Sequence, residues 1–512
     1  MAAIDEIRNI RLEKIKVLRK MGINPYPADS IKDISNLEIT ANYKNLEDKK
    51  IHVTGRIISW RGHGQILFCH IQDQSGKIQI LVKKDELSDT DIKKQILGFK
   101  DLKLIDTGDF IEVFGVVGKS IRGEVSIFAK EIKLLSKSIR TLPEKWKGLQ
   151  DPELIFRHRY LDLVMNPERK NLFIRKSRFW ELNRKFLQDN GFIEVETPIM
   201  ELVTGGADAK PFITHHNALD QDFYLRISTE LYQKRLIGGG FEKIFTLGPN
   251  FRNEGIDDEH LQEYYQCEWY WAYADYTMNM DLVEKLYKYI AKNLYGKTKF
   301  TKGEYTFDLG GKWPRISYAD LIKKQFNVDI FNDSEEDILK LLKQQKIDIT
   351  GLTNRARIVD NLWKLVRKTI SGPIFVIDEP KFTSPLAKSR PDNEMLTERF
   401  HVIIAGSELG NGYSELNDPV DQFERFKEQQ SNREKGDDES QMMDIDFVEM
   451  LEYGMPPTSG WGHSERVFWF FEDITAREGT LFPQMRYEVS PETRRIYNLP
   501  KQNQNLKKSK NK

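Results

Sequence analysis

The sequence of 512 residues predicts an α+β protein, with a small N-terminal β-domain followed by a larger domain whose antiparallel sheet is flanked by helices. Residues 51–134 alternate apolar and polar side chains in short runs, as half-buried strands do. Residues 241–276 read as two strands joined by a polar loop, and 171–198 as an amphipathic helix followed by a strand. The length exceeds what one hydrophobic core serves, which agrees with a chain of several domains.

The composition is that of a globular chain and narrows the range of partners. Lys+Arg and Asp+Glu both number 78, so a nucleic-acid partner would have to contact local basic patches. Two cysteines exclude a disulfide framework and a cysteine zinc cluster, and they suit a reducing compartment. No apolar run approaches the ~18 residues of a membrane span, and the charged N-terminus is not typical of a signal peptide. We therefore expect a cytoplasmic protein without a membrane partner.

The N-terminal region predicts a helical extension at 1–48 and a β-domain at 49–137. Three strands, a helix and two more strands are expected in this order: 51–59, 65–73, 77–83, the helix 84–98, 110–117 and 124–134. This order is typical of an OB-fold, a five-stranded β-barrel that binds single-stranded nucleic acid on one face. Phe68 would stack on a base there and Gln79 would form hydrogen bonds with one, although a place in the barrel core explains Phe68 equally well.

The larger domain contains the stretch that carries the most chemistry, FEKIFTLGPNFRNEGIDDEHLQEYYQCEWYWAYADY at 241–276. Arg252 and Glu254 are one residue apart, so in an extended strand their side chains share a face. Aromatic residues crowd the second strand. An arginine that binds phosphate opposite an aromatic ring that stacks on a base suits a nucleotide. An ordinary hairpin with a salt bridge is the alternative interpretation.

The remaining segments predict the domain limits. A linker is expected at 138–152, the large domain at 153–490 with an insertion at about 300–395, and a basic tail, disordered because it is polar, at 491–512. Glu408 and Glu415 lie on either side of a glycine-rich bend, where acids suit a divalent cation or an ammonium group. An ordinary turn without a ligand is the alternative interpretation, and without further motifs it is the safer one.

Several motifs resemble one enzyme family. "FRNEG", the following "H" and "Y" four residues apart, and "CEWYWAYADY" are similar to motif 2 of the class II aminoacyl-tRNA synthetases, in the version of the lysyl-tRNA synthetases. "ELGNGYSELND" and "SPLAK" match the lysyl family, and the helix, strand and proline of 171–198 resemble motif 1. "GWGHSER" resembles a motif 3 shortened by one residue.

The resemblance implies an OB-fold anticodon-binding domain and a class II synthetase catalytic domain. It implies a lysine–tRNA ligase that uses ATP, L-lysine, tRNA and Mg²⁺ and forms a homodimer through motif 1. The reaction would give lysyl-adenylate and pyrophosphate, and lysine would then pass to the 3′ end of the tRNA. Two alternatives are a paralogue that transfers lysine to a protein, which would lack the OB domain, and a non-catalytic RNA-binding module.

The resemblance also implies roles for individual residues. Arg252 and Arg466 would be catalytic. The ATP site would consist of Arg252, Glu254, His260, Tyr264, Glu408 and Arg466, with Glu408 also binding magnesium. The lysine site would consist of Gly206, Glu230, Arg252, Glu268, Tyr270, Asn411, Tyr413 and Glu415. The anticodon contacts would be Arg61, Phe68, Gln79 and Glu124.

Two positions depart from the family pattern. Glu259 stands where the family often has a basic residue, which predicts weaker binding of the phosphate tail. His401 stands where the family has a second carboxylate associated with metal, seven residues before Glu408. Because Mg²⁺ prefers oxygen ligands, we expect that His401 does not bind it and that Glu408 holds the principal ion. A side chain that faces away from the phosphates is the other interpretation of His401.

Overall fold

The computed structural model describes residues 4–143, 150–255, 257–350, 352, 354–436 and 439–500, without the side chain of His63. Residues 144–149 of the predicted linker at 138–152 and the end of the tail therefore lie outside the described residues. The chain divides into two compact units, one formed by 1–167 with 485–512 and the other by 168–484.

The first unit contains the predicted β-barrel. Its strands are β1 (Lys50–His63), β2 (Ile66–Gln72), β3 (Lys77–Lys83), β4 (Phe110–Lys119) and β5 (Val125–Ser136). They close in the order β1-β2-β3-β5-β4, which is the five-stranded barrel that the sequence predicts. The helices that precede and follow it are α1 (Ile4–Lys20), α2 (Asn36–Ala41), α3 (Tyr43–Leu46), α4 (Pro152–Arg157) and α5 (Arg159–Met165).

The predicted helix at 84–98 is wrong. This segment forms turns, and a 3₁₀ helix follows at Phe99–Leu104. Oδ1 of Asp91 accepts hydrogen bonds from the backbone amides of Lys93, at 2.9 Å, and Lys94, at 3.3 Å. An aspartate that binds nearby amides in this way favours a turn over a helix interior.

Part of the tail at 491–512, which the sequence predicts to be disordered, forms a helix. Residues Pro491–Ile496 form helix α15, and the described part of the tail is therefore not a disordered segment. The side chain of Ser490 caps the amide of Thr493, and Nε of Arg495 lies 2.8 Å from Oδ2 of Asp5 in the same unit. A cap and an ion pair supply local order that composition alone does not reveal.

The second unit is built on an eight-stranded sheet in the order β14-β15-β16-β17-β18-β11-β10-β6. Its strands are β6 (Ile193–Glu194), β10 (Lys243–Phe251), β11 (Glu263–Ala272), β14 (Arg315–Ser317), β15 (Ile374–Ile377), β16 (Arg399–Ile404), β17 (Ser407–Ser414) and β18 (Thr458–Ser464). The pairs are antiparallel except at the two edges, where β14–β15 and β10–β6 are parallel.

Smaller sheets and the helices complete this unit. The remaining strands are β7 (Met200–Glu201), β8 (Ile213–His216), β9 (Gln221–Leu225), β12 (Lys299–Lys302) and β13 (Tyr305–Asp308). The helices are α6 (Pro167–Asp189), α7 (Glu230–Gly238), α8 (Tyr276–Tyr295), α9 (Tyr318–Phe326), α10 (Glu335–Gln344), α11 (Arg355–Arg367), α12 (Pro419–Glu434), α13 (Ile445–Tyr453) and α14 (Arg466–Glu472), with a 3₁₀ turn at Lys381–Thr383.

The two faces of the large sheet differ in character because side chains alternate along each strand. Phe400, Trp269 and Trp461 point to the face covered by α8, where they pack with Leu286 and Tyr287 in one hydrophobic core. Fully burying side chains of this size contributes roughly 1.5–3 kcal/mol each. The other face carries the polar side chains of the same strands and forms the candidate site.

Candidate active site

Two glycines on the central strand β18 make room for the site. Gly460 pairs with Tyr270 of β11 and Tyr413 of β17, and Gly462 pairs with Glu268 and Asn411 of the same two strands. Because β18 has no side chain at these positions, the flanking side chains converge over a gap in the sheet. A Cβ atom at 460 would lie 2.3 Å from Oε1 of Glu415.

A polar cavity of about 240 Å³ opens above this gap. All the residues that the resemblance assigns to lysine line it, namely Gly206, Glu230, Arg252, Glu268, Tyr270, Asn411, Tyr413 and Glu415. Gly206 has a φ of +84°, and a Cβ atom there would lie 2.8 Å from Cβ of Glu230. A glycine at 206 therefore lets the loop approach the first turn of α7.

Three buried acids give the cavity its charge. Glu230, Glu268 and Glu415 are 4%, 4% and 1% exposed. Burial raises the pKa of Glu268 and raises that of Glu415 well above its usual range. Glu268 accepts hydrogen bonds from Ser228 Oγ at 3.0 Å and Gln266 Nε2 at 2.7 Å, whereas Oε1 of Glu415 has no hydrogen-bond partner among the described residues. A buried acceptor of this kind favours a cationic ligand.

Lys234 of α7 also contacts two of these acids, which the sequence analysis did not anticipate. Its Nζ lies 2.6 Å from Oε1 of Glu230 and contacts Oε2 of Glu415, and the side chain is fully buried. Burial lowers the pKa of Lys234, but the two carboxylates outweigh this effect and raise it. The hydroxyl of Tyr413 donates a second hydrogen bond to the same oxygen of Glu230, at 2.5 Å.

A second cavity of about 170 Å³ adjoins the first. All the residues that the resemblance assigns to ATP line it, namely Arg252, Glu254, His260, Tyr264, Glu408 and Arg466. Arg252 lines both cavities. Its guanidinium carbon lies 5.4 Å from the ring centre of Tyr264. Its Nε atom has no hydrogen-bond partner among the described residues. The expected strand position of Arg252 and Glu254 is wrong, since β10 ends at Phe251, yet both side chains reach the cavity.

Two basic side chains at the rim of this second cavity are paired with acidic side chains. Arg466 begins α14, as the sequence predicts, and its guanidinium contacts Glu259. Nδ1 of His260 lies 2.8 Å from Oδ2 of Asp257. The acid at position 259 therefore does not only replace a basic residue of the family pattern. It also pairs with Arg466, the arginine expected to contact the nucleotide.

His401 lies between two acids. Its Nδ1 is 3.0 Å from Oε1 of Glu408, and its Nε2 contacts Glu379, an acid that the sequence analysis did not single out. Burial lowers the pKa of His401, but Glu408 and Glu379 outweigh it and raise the pKa to about 9. The same contact holds the pKa of Glu408 well below its usual range despite burial. The side chain of His401 thus faces Glu408 but does not line the second cavity, so its orientation toward the phosphates stays a prediction.

The donor set fits magnesium only in part. Among the described residues no group of three or more His, Cys, Asp or Glu side chains is arranged to hold a metal ion. The imidazole of His401 also uses one oxygen of Glu408. A protein cage for Mg²⁺ is therefore not supported, whereas an ion carried by ATP phosphates, to which Glu408 adds an oxygen, fits these residues.

The predicted anticodon residues lie in the barrel of the first unit. Arg61 pairs with Phe68 across β1 and β2, and Phe68 is half-buried outside the barrel core, while its neighbour Cys69 points inward and is fully buried. Nε2 of Gln79 donates to Oε2 of Glu124 at 2.7 Å, and Ser126 Oγ donates to Oε1 of Gln79 at 2.9 Å.

His70 joins this group without having been predicted. Its Nε2 is 3.0 Å from Oε1 of Glu124 and its Nδ1 is 3.0 Å from Ser59 Oγ. Side chains alternate along β2, so His70 lies on the same face as Phe68. This alternation could have predicted that His70 joins the group.

No helix in the described parts of the chain has the length and apolar character needed to cross a membrane.

Comparison with known proteins gives two family matches. Residues 151–486 match the tRNA synthetases class II (D, K and N), and residues 51–135 match the OB-fold nucleic acid binding domain.

Individual relatives agree with these matches. The chain is 45% identical over 488 residues to the lysine–tRNA ligase of Thermotoga maritima, covering 94% of this chain and 96% of that protein. It is 44% identical over 491 residues to the enzyme of the same name from Thermosipho africanus, with the same coverage of both chains. The lysine–tRNA ligase of Thermoanaerobacter pseudethanolicus is 44% identical over 490 residues. The chain therefore belongs to the lysine–tRNA ligase family of the class II aminoacyl-tRNA synthetases.

Proposed function

We propose that this protein is a lysine–tRNA ligase whose two adjoining cavities bind lysine and ATP. The observation that carries the proposal is that Arg252 lines both cavities. The carboxylate of lysine and the α-phosphate of ATP must meet for activation, and a planar guanidinium binds both kinds of anion. The first cavity offers buried acids to a cationic amino acid, and the second offers an aromatic ring and arginines to a nucleotide.

Each end of lysine has a complementary group in the first cavity. Oε1 of Glu415, with Tyr270 and Tyr413 beside it, would bind the ε-ammonium group, and Glu268 supports this end with negative charge. Glu230, Gly206 and Asn411 would hold the α-amino and carboxylate ends. A desolvated ammonium ion requires such anionic and hydrogen-bonding partners, and an acidic side chain would be repelled.

The second cavity orients ATP. Tyr264 would stack on the adenine and Glu254 would accept a hydrogen bond from its amino group. Arg466 would cover the other face of the base and reach the γ-phosphate, and His260 would contact the terminal phosphates. Before Arg466 and His260 can do so, their contacts with Glu259 and Asp257 must open.

The reaction would proceed by positioning and by neutralising charge. A carboxylate oxygen of lysine attacks the α-phosphorus, a bond to the bridging oxygen breaks, and pyrophosphate leaves while Arg252 binds the developing charge. A hydroxyl of the terminal ribose of tRNA then attacks the carbonyl carbon, and AMP leaves. Magnesium bound to the ATP phosphates, with Glu408 as its protein ligand, would neutralise phosphate charge.

The first unit would bind the tRNA. Phe68 would stack on an anticodon base, and Gln79 and Glu124 would form hydrogen bonds with base edges, with Arg61 beside them. The support is the outward position of Phe68 and the connected polar side chains around Gln79. Stacking on an aromatic ring contributes about 1–3 kcal/mol per base in single-stranded recognition.

A homodimer through motif 1 is supported by exposed apolar side chains. Ile193, Ile199, Met200, Leu202 and Ile213 follow α6 and are between 44% and 63% exposed. β6 is an edge strand of the large sheet. Exposed apolar side chains and an unpaired strand edge in the same stretch of the chain favour association with a second copy.

A cytoplasmic location is part of the proposal. Cys69 and Cys267 are both buried free thiols, which suits a reducing compartment.

ATP–pyrophosphate exchange with each amino acid in turn tests the proposal. We expect exchange with lysine alone, and a loss on the order of 10²-fold or more on replacing Arg252 or Arg466 by alanine. Arg315→Ala is a control, because Arg315 forms an exposed ion pair with Asp281 in the same unit. Exchange with another amino acid, or near wild-type exchange in both arginine variants, would contradict it.

A further inference from the structure

The wall of the lysine cavity contains an ammonium group of the protein itself. Nζ of Lys234 bridges Glu230, at 2.6 Å, and Oε2 of Glu415, and the side chain is 0% exposed. These are the two acids assigned above to the opposite ends of the substrate. Lys234 does not line the cavity, so it would act on the substrate through the two carboxylates.

The bridge decides which oxygen of Glu415 is available. Neither oxygen of Glu415 has a hydrogen bond of ordinary geometry among the described residues, but Oε2 forms the ion-pair contact with Nζ of Lys234. Oε1 lies on the side of Gly460, where a Cβ atom of residue 460 would clash with it. The free oxygen therefore lies at the glycine gap of β18, beside Tyr270. A carboxylate held by a fixed cation on one oxygen presents the other in a defined direction.

The bridge also sets the charge of the cavity. Three buried acids (Glu230, Glu268 and Glu415) outnumber the two cations that face them, Lys234 and Arg252, and Asp208, a further acid that lines the cavity, lies 3.7 Å from Arg357. Arg399 reaches the cavity as well, but it pairs with Glu379 at 3.2 Å. Lysine carries one net positive charge at neutral pH. Without Lys234 the three acids would repel one another, and the pKa of Glu415, which burial raises and Lys234 lowers, would rise further.

We propose that Lys234 is a positioning residue for lysine selection, which holds Glu230 and Glu415 with one ammonium group, directs Oε1 of Glu415 to the substrate and offsets part of the negative charge of the cavity. This inference rests on the proposed assignment of the cavity to lysine. It predicts that the charge of residue 234 governs the affinity for lysine and leaves that for ATP unchanged.

The first test compares Lys234→Met with Lys288→Met in ATP–pyrophosphate exchange. Lys288 forms an ion pair of the same i,i+4 spacing and the same 2.6 Å length with Glu284 on α8. We expect Lys234→Met to raise KM for lysine by about 30-fold or more, because truncating one partner of a buried charge pair leaves the others uncompensated. KM for ATP should stay at the wild-type value, and Lys288→Met should change neither KM.

The second test restores the charge from solution. In Lys234→Ala we expect propylammonium to lower KM for lysine again and the neutral, similarly sized propanol to have no effect. A rise of both KM values together, or a folded variant that the amine does not rescue, would show that Lys234 is only structural and overturn the inference. The Glu415→Gln variant distinguishes a wrong assignment of the cavity from a wrong role for Lys234. If it too leaves KM for lysine unchanged, the assignment of the cavity is wrong, and if it alone raises KM, only the role of Lys234 is wrong.

Discussion

Nδ1 of His401 lies 3.0 Å from Oε1 of Glu408, so a buried imidazole contacts the acid that the family resemblance assigns to magnesium. The ring's other nitrogen contacts Glu379, and the two acids raise the pKa of His401 to about 9. At neutral pH the side chain is therefore a cation held between two carboxylates. Its positive charge partly neutralises two acids that would otherwise attract a metal ion.

Replacing His401 by glutamate should lower the magnesium concentration needed for half-maximal ATP–pyrophosphate exchange. The change removes a cation and adds oxygen ligands beside Glu379 and Glu408, which Mg²⁺ prefers. A magnesium titration at saturating ATP measures the midpoint. Glu408→Gln should nearly abolish exchange in the same titration. An unchanged or higher midpoint in His401→Glu would mean that the absence of a carboxylate at position 401 does not weaken metal binding.

Replacing Glu259 by glutamine should lower KM for ATP. The change releases Arg466 from its ion pair and removes a negative charge from the rim of the nucleotide cavity. Because Glu259 is about half exposed, the pair contributes at most about 1 kcal/mol and the change in KM should not exceed about fivefold. Glu263→Gln, at an exposed acid outside the cavity, is the control. A higher KM would indicate that Glu259 itself contributes to ATP binding.

Replacing Glu415 by glutamine should weaken lysine binding by about 2–5 kcal/mol, because a buried ammonium group loses its counter-charge. Titration calorimetry with lysine measures this, and exchange kinetics should show it as a higher KM for lysine. Wild-type values of both KM and kcat would place the ε-ammonium group elsewhere.

Replacing Phe68 by alanine should weaken tRNA charging by about 1–3 kcal/mol through lost stacking, while tRNA-independent exchange stays intact. Phe114→Ala is a matched control, since Phe114 is a half-buried phenylalanine on β4 whose ring centre lies 4.6 Å from that of His52. A joint fall of exchange and thermal stability in Phe68→Ala would instead assign the ring to the structure of the barrel.

His463 should make the fold less stable in mild acid. Trp461 Nε1 donates to its Nδ1 at 3.0 Å, and burial lowers its pKa to about 3. The unfolded chain binds a proton near the ordinary pKa of 6.5, so the contribution to stability is complete above 6.5 and decreases as the pH falls below it. The loss should approach about 1.4 kcal/mol per pH unit. Unfolding free energies measured between about pH 5 and 7 should show a shallower slope for His463→Gln.

Strand periodicity accounts for much of what the sequence predicted of this site. Alternation along β11 places Glu268 and Tyr270 on one face and Trp269 on the other, so the cavity residues follow from the register once the strand is recognised. The five strands of the barrel follow from the same pattern. The roles assigned to the site residues stay predictions, which the experiments above test.

Contacts between distant segments could not be predicted in this way. Glu379 and His401 are 22 residues apart and meet only because β15 pairs with β16. Lys234 belongs to α7 and Glu415 directly follows β17, and nothing in either local pattern links them. The helix expected at 84–98 failed for a local reason, since Asp91 binds amides that a helix would use.

The gap that Gly460 and Gly462 leave in β18 gives the cavity proposed for lysine part of its volume, because these two residues carry no side chains. Every substitution at these two positions adds atoms, so mutation can only shrink the cavity and can never enlarge it there. At Gly460 even one methyl group would meet both Glu415, at 2.3 Å, and Tyr270, at 2.6 Å. Attempts to evolve the site toward bulkier amino acids must therefore begin at its walls, on β11 and β17, because its floor is already at the lower limit of side-chain size.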